Sequence, residues 1–214
     1  MTTKISCTHK MIRYNVPMRK IILASGSPRR KELLTMMGLQ FDVIPSDFDE
    51  WLDDAKTPRE VAIELGLGKA RTVAEQYPEA IVIGGDTIVT VDGKQLGKAV
   101  TTEEARAMLR SLAGSSHTVT TSLSVICLAE QYEFATADEA EVFFMPYDEN
   151  LVERYLATGD WHDKAGAYGI QSGASPLIDH ITGDIETIIG LPTELLLEPL
   201  AHFGITAKKA DYQL

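Results

Sequence analysis

Short runs of consecutive apolar residues, each cut off by a turn signal, alternate along this chain with segments whose apolar positions recur at helical spacing. That alternation predicts an α/β protein. Ile21, Ile22 and Leu23 form a triplet of the buried-strand kind, stopped by Ser25-Gly26-Ser27-Pro28. Ser27 suits a helix N-cap and Pro28 the first helical position; Leu33, Leu34 and Met37 then supply an apolar face, and Gly38 is placed to end the helix. A strand over Phe41–Ile44 follows. Thr57-Pro58-Arg59-Glu60 is a capping box that opens a helix running towards Glu75.

Ala80–Ile83 is a second buried-strand run, halted by Gly84-Gly85-Asp86. Strand character resumes over Thr87–Val91, and Asp92-Gly93 turns the chain into Lys94-Gln95-Leu96. Thr101 with Glu104 caps another helix, closed by Gly114. Two long strands are expected over Thr118–Leu128 and Glu133–Phe144, both rich in β-branched or aromatic residues. Asp148 caps a helix over Glu149–Thr158, ended by Gly159, and the glycine-rich stretch Asp163–Gly173 is too irregular for either regular element. Leu177–Ile181 and Ile185–Ile189 are expected to pair as strands across Thr182-Gly183-Asp184. Gly190-Leu191-Pro192 then starts a final helix that stops before Gly204.

No repeat or low-complexity linker divides the chain, so residues 18–214 are expected to make one α/β unit with two lobes. The first seventeen residues contain Lys4, Lys10 and Arg13 but no acid and no sustained period, and are expected to be a disordered extension. The net charge of −11 argues against a long contact with a nucleic-acid polymer, although a small anion could still bind where basic residues converge. No apolar run is long enough to cross a bilayer. Cys7 and Cys127 lack metal-ligand spacing, and the five histidines are scattered; a soluble protein of a reducing, cytoplasmic compartment is expected.

The candidate chemistry begins at the first helix. Its N-terminus offers unpaired backbone N–H groups and a positive dipole end, and Arg29 and Arg30 add fixed charge; an anion site and a solvated surface helix are both compatible with the segment alone. Asp86 ends a buried strand behind two glycines, where a carboxylate could hold Mg²⁺, take a proton from water, or simply form a turn with Thr87. Glu50, in an acidic loop around Trp51, is a second carboxylate for a metal or a solvated surface residue. Lys69 and Lys98 could each reach a phosphate or lie in solvent. Gln171, after the glycines of AGAYGIQ, carries the donor and acceptor needed to pair with a base edge, whereas Tyr168 suits the core. Asp184 and Glu186, beside the last hairpin, could be site acids or ordinary turn and surface residues. A GxxxxGK[ST] phosphate loop is absent.

Taken in order and spacing, ASGSPRR, GGDTIV, AGAYGIQ and IIGLP resemble the Maf family of nucleoside triphosphate pyrophosphatases, from about Arg19 to about Phe203. The resemblance implies an elongated α/β protein, a two-lobed mixed sheet flanked by helices with a central cleft, often dimeric. Such a protein would hydrolyse a nucleoside triphosphate to the monophosphate and pyrophosphate with Mg²⁺ or Mn²⁺. It implies Asp86 as the proton acceptor, Asp86 and Glu50 as metal-binding carboxylates, and Ser25, Ser27 and Arg30 as phosphate-recognising residues. Glu50, Lys69 and Lys98 correspond to the family's other polar cleft positions. Arg29, Thr87 and Gln171 resemble the branch associated with dTTP and UTP. Gly68 and Ala99 stand where the family usually has Glu and Pro, and Gly85 replaces the commoner alanine. A nucleotide-binding regulator of cell division, without turnover, is the alternative from another functional class.

Overall fold

A computed structural model describes residues 19–49, 53, 55–171 and 173–212. The expected extension over residues 1–17 and the candidate Glu50 lie outside them. Eight strands make one mixed sheet: β1 (Ile21–Leu23), β2 (Asp42–Val43), β3 (Ile81–Gly84), β4 (Thr87–Val91), β5 (Lys94–Leu96), β6 (Ser116–Cys127), β7 (Tyr132–Phe144) and β8 (Ile178–Thr182). The helices are α1 (Pro28–Met36), α2 (Pro58–Gln76), α3 (Thr102–Leu112), α4 (Glu149–Thr158), α5 (Ile185–Ile189) and α6 (Thr193–His202).

β1 lies parallel to both β2 and β3, and every other strand pair is antiparallel. The apolar triplets are continuous because β1 and β3 are buried on both faces. Ile21, Leu23, Ile81 and Ile83 join the main core with Leu33 and Leu34 of α1, while Ile22 and Val82 face a second cluster containing Ala70, Val73 and Ala74 of α2. The caps form as the sequence predicts. Ser27 accepts from the backbone N–H of Arg30, Thr57 and Thr101 each complete a capping box, and Asp148 accepts from two N–H groups at the start of α4.

β6 organises the sheet. One of its edges pairs along its whole length with β7, and the other carries β3 and β4 end to end. The pairings Gly84↔Ser124 and Thr87↔Thr121 are in phase, so β3 and β4 are one strand interrupted at Gly85-Asp86. At the interruption Ser122 N–H still donates to Asp86 O, 2.8 Å away, but Asp86 N–H donates to the Ser122 hydroxyl at 2.9 Å instead of continuing the ladder.

One expected element is overturned. Ile185–Ile189 is not a strand paired with Leu177–Ile181 but the short helix α5, and β8 pairs with β7 instead. A run of five residues is too short to separate helix from strand by periodicity, and local chemistry decides: Asp184 accepts from Glu186 N–H as an N-cap, and Gly190 ends the turn at φ +125°, which favours glycine. The carbonyls of Ile189 and Gly190 are thereby turned towards α1.

Candidate active site

The interruption between β3 and β4 opens onto a cleft of about 530 Å³, lined by Ala24–Arg30, Lys69, Asp86, Thr87, Lys98, His162–Ala165, Tyr168–Ile170 and Ile188-Ile189, among others. Most of the sequence-predicted candidates converge there. Three glycines explain how Asp86 and Lys69 meet. A Cβ on Gly85 would sit 2.4 Å from Ser122 O, one on Gly84 2.7 Å from Gly66 O, and one on Gly66 2.5 Å from Ser122 Oγ. Helix α2 therefore lies directly on the interrupted strand, and Lys69, one turn beyond Gly66, brings Nζ to 2.5 Å from Asp86 Oδ1. Both side chains are largely shielded, at 10% and 13% exposure. An alanine at position 85 would need a wider gap beneath it than this chain leaves. Gly68 has an equally concrete cause, because a side chain there would run into the Phe48 ring, whose Cζ would lie 2.3 Å from its Cβ.

Facing Asp86 is the N-terminus of α1. Ser25 Oγ accepts from Ser27 N–H at 3.2 Å and from the Arg30 guanidinium at 3.0 Å, and Ser27 caps the helix. Arg30 is buried and also donates through Nε to Gly190 O at 2.8 Å and through its other amino group to Thr87 Oγ1 at 3.1 Å. The hydroxyls of Thr87 and Thr121 share a 3.0 Å hydrogen bond, and Thr121 donates to Thr187 O at 2.7 Å. Arg30 thus ties α1, β4 and the α5 turn into one unit. Thr121 and Thr187 were not legible as site residues, because only the register of β6 against β4 brings them near.

Arg29 is half-buried and donates to Ile189 O at 3.3 Å. Burial pulls its guanidinium below the ordinary range, with Tyr155 and Asp163 opposing. Lys164, whose ammonium donates to Asp160 O, is lowered first by burial and then by the charge of Arg29. Lys98 lies at the cleft wall, where it forms an isolated bridge with Ala165. With Arg29, Arg30, Lys69, Lys98 and Lys164 on its walls against Asp86 and Asp163, the cleft is locally cationic in a chain of net charge −11.

Tyr168 is buried and forms a 2.7 Å hydrogen bond with His117 Nε2, so it is the core residue the sequence suggested as well as part of the cleft floor. Gln171 does not line the cleft; its amide Nε2 donates to Glu32 on α1 at 3.1 Å. Asp184 caps α5 and pairs with Lys209, and Glu186 is buried against Thr193, so neither belongs to the cleft.

The Maf family (described as Maf-like protein) matches this chain over residues 20–203. The chain belongs to that family. Its Maf relatives include proteins named dTTP/UTP pyrophosphatase from Bacillus cereus (strain ZK / E33L), 41% identical over 193 residues covering 90% of this chain and all of the relative, and from Symbiobacterium thermophilum, 44% identical over 187 residues covering 87% of this chain and 95% of the relative. A Bacillus anthracis protein of the same name is 41% identical over 193 residues. The Maf match spans every element from β1 to α6, including both sides of the cleft.

The donor set bears on a metal. Among the described residues no three His, Cys, Asp or Glu side chains converge, so they build no all-protein cage. Mg²⁺ needs none when substrate phosphates and water complete its shell, and a single carboxylate beside an anion site fits that mode. Asp86 is the described residue that would hold such an ion. No helix among the described residues is long and apolar enough to cross a membrane.

Proposed function

We propose that this protein hydrolyses dTTP and UTP, and modified pyrimidine triphosphates of the same edge chemistry, to the nucleoside monophosphate and pyrophosphate. One observation carries the reading. Asp86, gripped by Lys69 at a break in the central strand, faces the capped, arginine-bearing start of α1 across a single cationic cleft. The relatives named dTTP/UTP pyrophosphatase supply the substrate class.

In the proposed reaction a water oxygen attacks the α-phosphorus in line, the bond from that phosphorus to the α–β bridging oxygen breaks, and pyrophosphate leaves with the electron pair. Asp86 accepts the water's proton through the carboxylate oxygen not held by Lys69. Lys69 fixes that carboxylate's orientation. The positive dipole end at the start of α1, with Arg29 and Lys98, holds the polyphosphate and offsets the charge that grows on the leaving group. A divalent cation, Mg²⁺ or Mn²⁺, would supply further charge neutralisation on the phosphate oxygens when bound at Asp86, with Glu50 as a proposed second carboxylate. The setting we propose is cytoplasmic.

Asp86→Asn keeps the side chain's shape and removes the base. Its turnover should fall by roughly two to four orders of magnitude, measured as pyrophosphate and monophosphate release with circular dichroism verifying the fold. Near-normal turnover in that variant would remove Asp86 from the chemistry. Tight nucleotide binding by the wild type with no steady pyrophosphate release would favour the regulator instead.

A further inference from the structure

Among the described residues that line the cleft, two carry an aromatic ring, Tyr168 and His162. The Tyr168 ring is buried, and the rings of His117 and Phe144 already pack against it edge to face, at 5.3 and 5.0 Å. His162 is exposed. Trp161, which is buried and does not line the cleft, stacks on the imidazole with ring centroids 3.7 Å apart and planes 23° off parallel. The indole is itself anchored, its N–H donating to Leu156 O at 3.2 Å. Gly159 O, at the end of α4, accepts from the backbone N–H of His162 at 3.2 Å and from its ring Nδ1 at 2.7 Å. A carbonyl only accepts, so Nδ1 carries the proton and the rotation of the ring is set.

One face of the imidazole is thus taken by the indole, and the opposite face is the one open to a ligand in the cleft. Such a ring suits a planar aromatic group. Nucleobases stack on histidine as on other aromatic side chains, and a side chain already ordered loses little freedom when a base settles on it. The same loop adjoins the wall that would hold the polyphosphate: Asp163 acts on the Arg29 guanidinium, and Arg29 acts on Lys164. The ring therefore borders the anion-binding start of α1 from a separate element, which leaves it to the base end of the nucleotide.

We propose that His162 is the stacking platform for the nucleobase, with Trp161 behind it, so that a bound pyrimidine completes a stack of indole, imidazole and base. The inference rests on the nucleoside triphosphate reading above and deepens it by naming the ring that takes the base. Stacking engages a π-face and reads no hydrogen-bonding edge, so His162 supplies affinity for the base without choosing among pyrimidines.

His162→Ala removes the platform, and His162→Phe keeps an aromatic ring in its place. In His162→Ala the KM for UTP should rise by about five- to thirtyfold with kcat within about twofold of the wild type, whereas His162→Phe should stay close to the wild type in both. Inorganic tripolyphosphate, which carries the anion and no base, should inhibit the wild type and both variants about equally. Calorimetric binding of UMP should weaken in His162→Ala alongside the rise in KM, and this readout does not depend on turnover. Because the residue is exposed, both variants should fold, as circular dichroism would verify. An unchanged KM for UTP, tripolyphosphate inhibition that weakens as much as UTP binding, or a His162→Phe variant no better than His162→Ala would overturn the proposal. The same pattern of UMP binding in a protein that releases no pyrophosphate would uphold the stacking platform and count against the hydrolase reading alone.

Discussion

Arg30 stands in the first turn of a helix whose N-terminus points at an anion site, yet the structure gives its guanidinium structural partners. It is 8% exposed and donates to Gly190 O, Ser25 Oγ and Thr87 Oγ1 at 2.8, 3.0 and 3.1 Å, three groups from three separate parts of the chain. Arg30→Lys keeps the charge but replaces a planar fork by a point donor that can satisfy one of the three directions. Two charge-assisted bonds are lost and their acceptors left behind, at about 1.5 to 3 kcal/mol each, so the variant should lose about 3 to 6 kcal/mol. For a domain of this size that lowers the melting temperature by roughly 6 to 24 °C. Arg29→Lys is the control: with one described hydrogen bond at 3.3 Å it should cost about 1 kcal/mol or less. Urea unfolding of both variants, with the slope compared to the wild type, makes the measurement. If Arg30→Lys unfolds at the same midpoint as Arg29→Lys and only substrate binding suffers, Arg30 is a phosphate ligand and not the tie between α1, β4 and the α5 turn.

Two further outcomes follow from the packing. Gly66→Ala should improve helix propensity by about 1 kcal/mol but place a Cβ 2.5 Å from Ser122 Oγ, the group that holds Asp86 N–H; kcat should therefore fall tenfold or more while stability moves by less than about 2 kcal/mol, as steady-state kinetics and thermal melting would register. His117, buried against Tyr168 and Phe144, is pushed down to about 4 by desolvation from an ordinary 6.5. The fold holds it neutral while the unfolded chain protonates it, so its contribution is complete above pH 6.5 and about 3 kcal/mol is lost as pH falls towards 4; His117→Asn should flatten that part of the stability profile.

What the sequence made legible was local. Ser27, Thr57, Thr101 and Asp148 cap the helices expected of them because a cap needs only a side-chain oxygen and an N–H two or three residues on. The long strands were equally plain, since β-branched runs bounded by turns need no distant partner to be recognised. Ile185–Ile189 failed for the complementary reason: five residues, three of them apolar, are too few to show a period, and their helical state follows from Asp184 and Gly190 at the two ends. At the site, residue types pointed to Asp86, Lys69 and the start of α1, but the roles were set by contacts between distant segments. Arg30 engages β4 and the turn after α5, Thr121 engages Thr187, and Gln171 engages Glu32. Each depends on the register of strands and on where a helix crosses them, which no local pattern encodes.

The same dependence explains how an acidic protein can build a site for a polyanion. Arg30 and Lys69 are both buried and both line the cleft, so their charge acts on the groups around them and on whatever enters, not on the outer surface. The cost of burying them is met unequally. Asp86 neutralises Lys69 directly, whereas Arg30 has dipoles as its described partners, two hydroxyls and a carbonyl. A carboxylate beside a lysine stays a charged, oriented acceptor; on the α1 side Arg29 adds a second guanidinium, close enough to Lys164 to lower its ammonium. The two halves of the site therefore differ in electrostatic character although both are rich in basic residues. The α1 side retains the field that favours phosphate, and the β3–β4 interruption holds a carboxylate close to where a water would have to lose its proton.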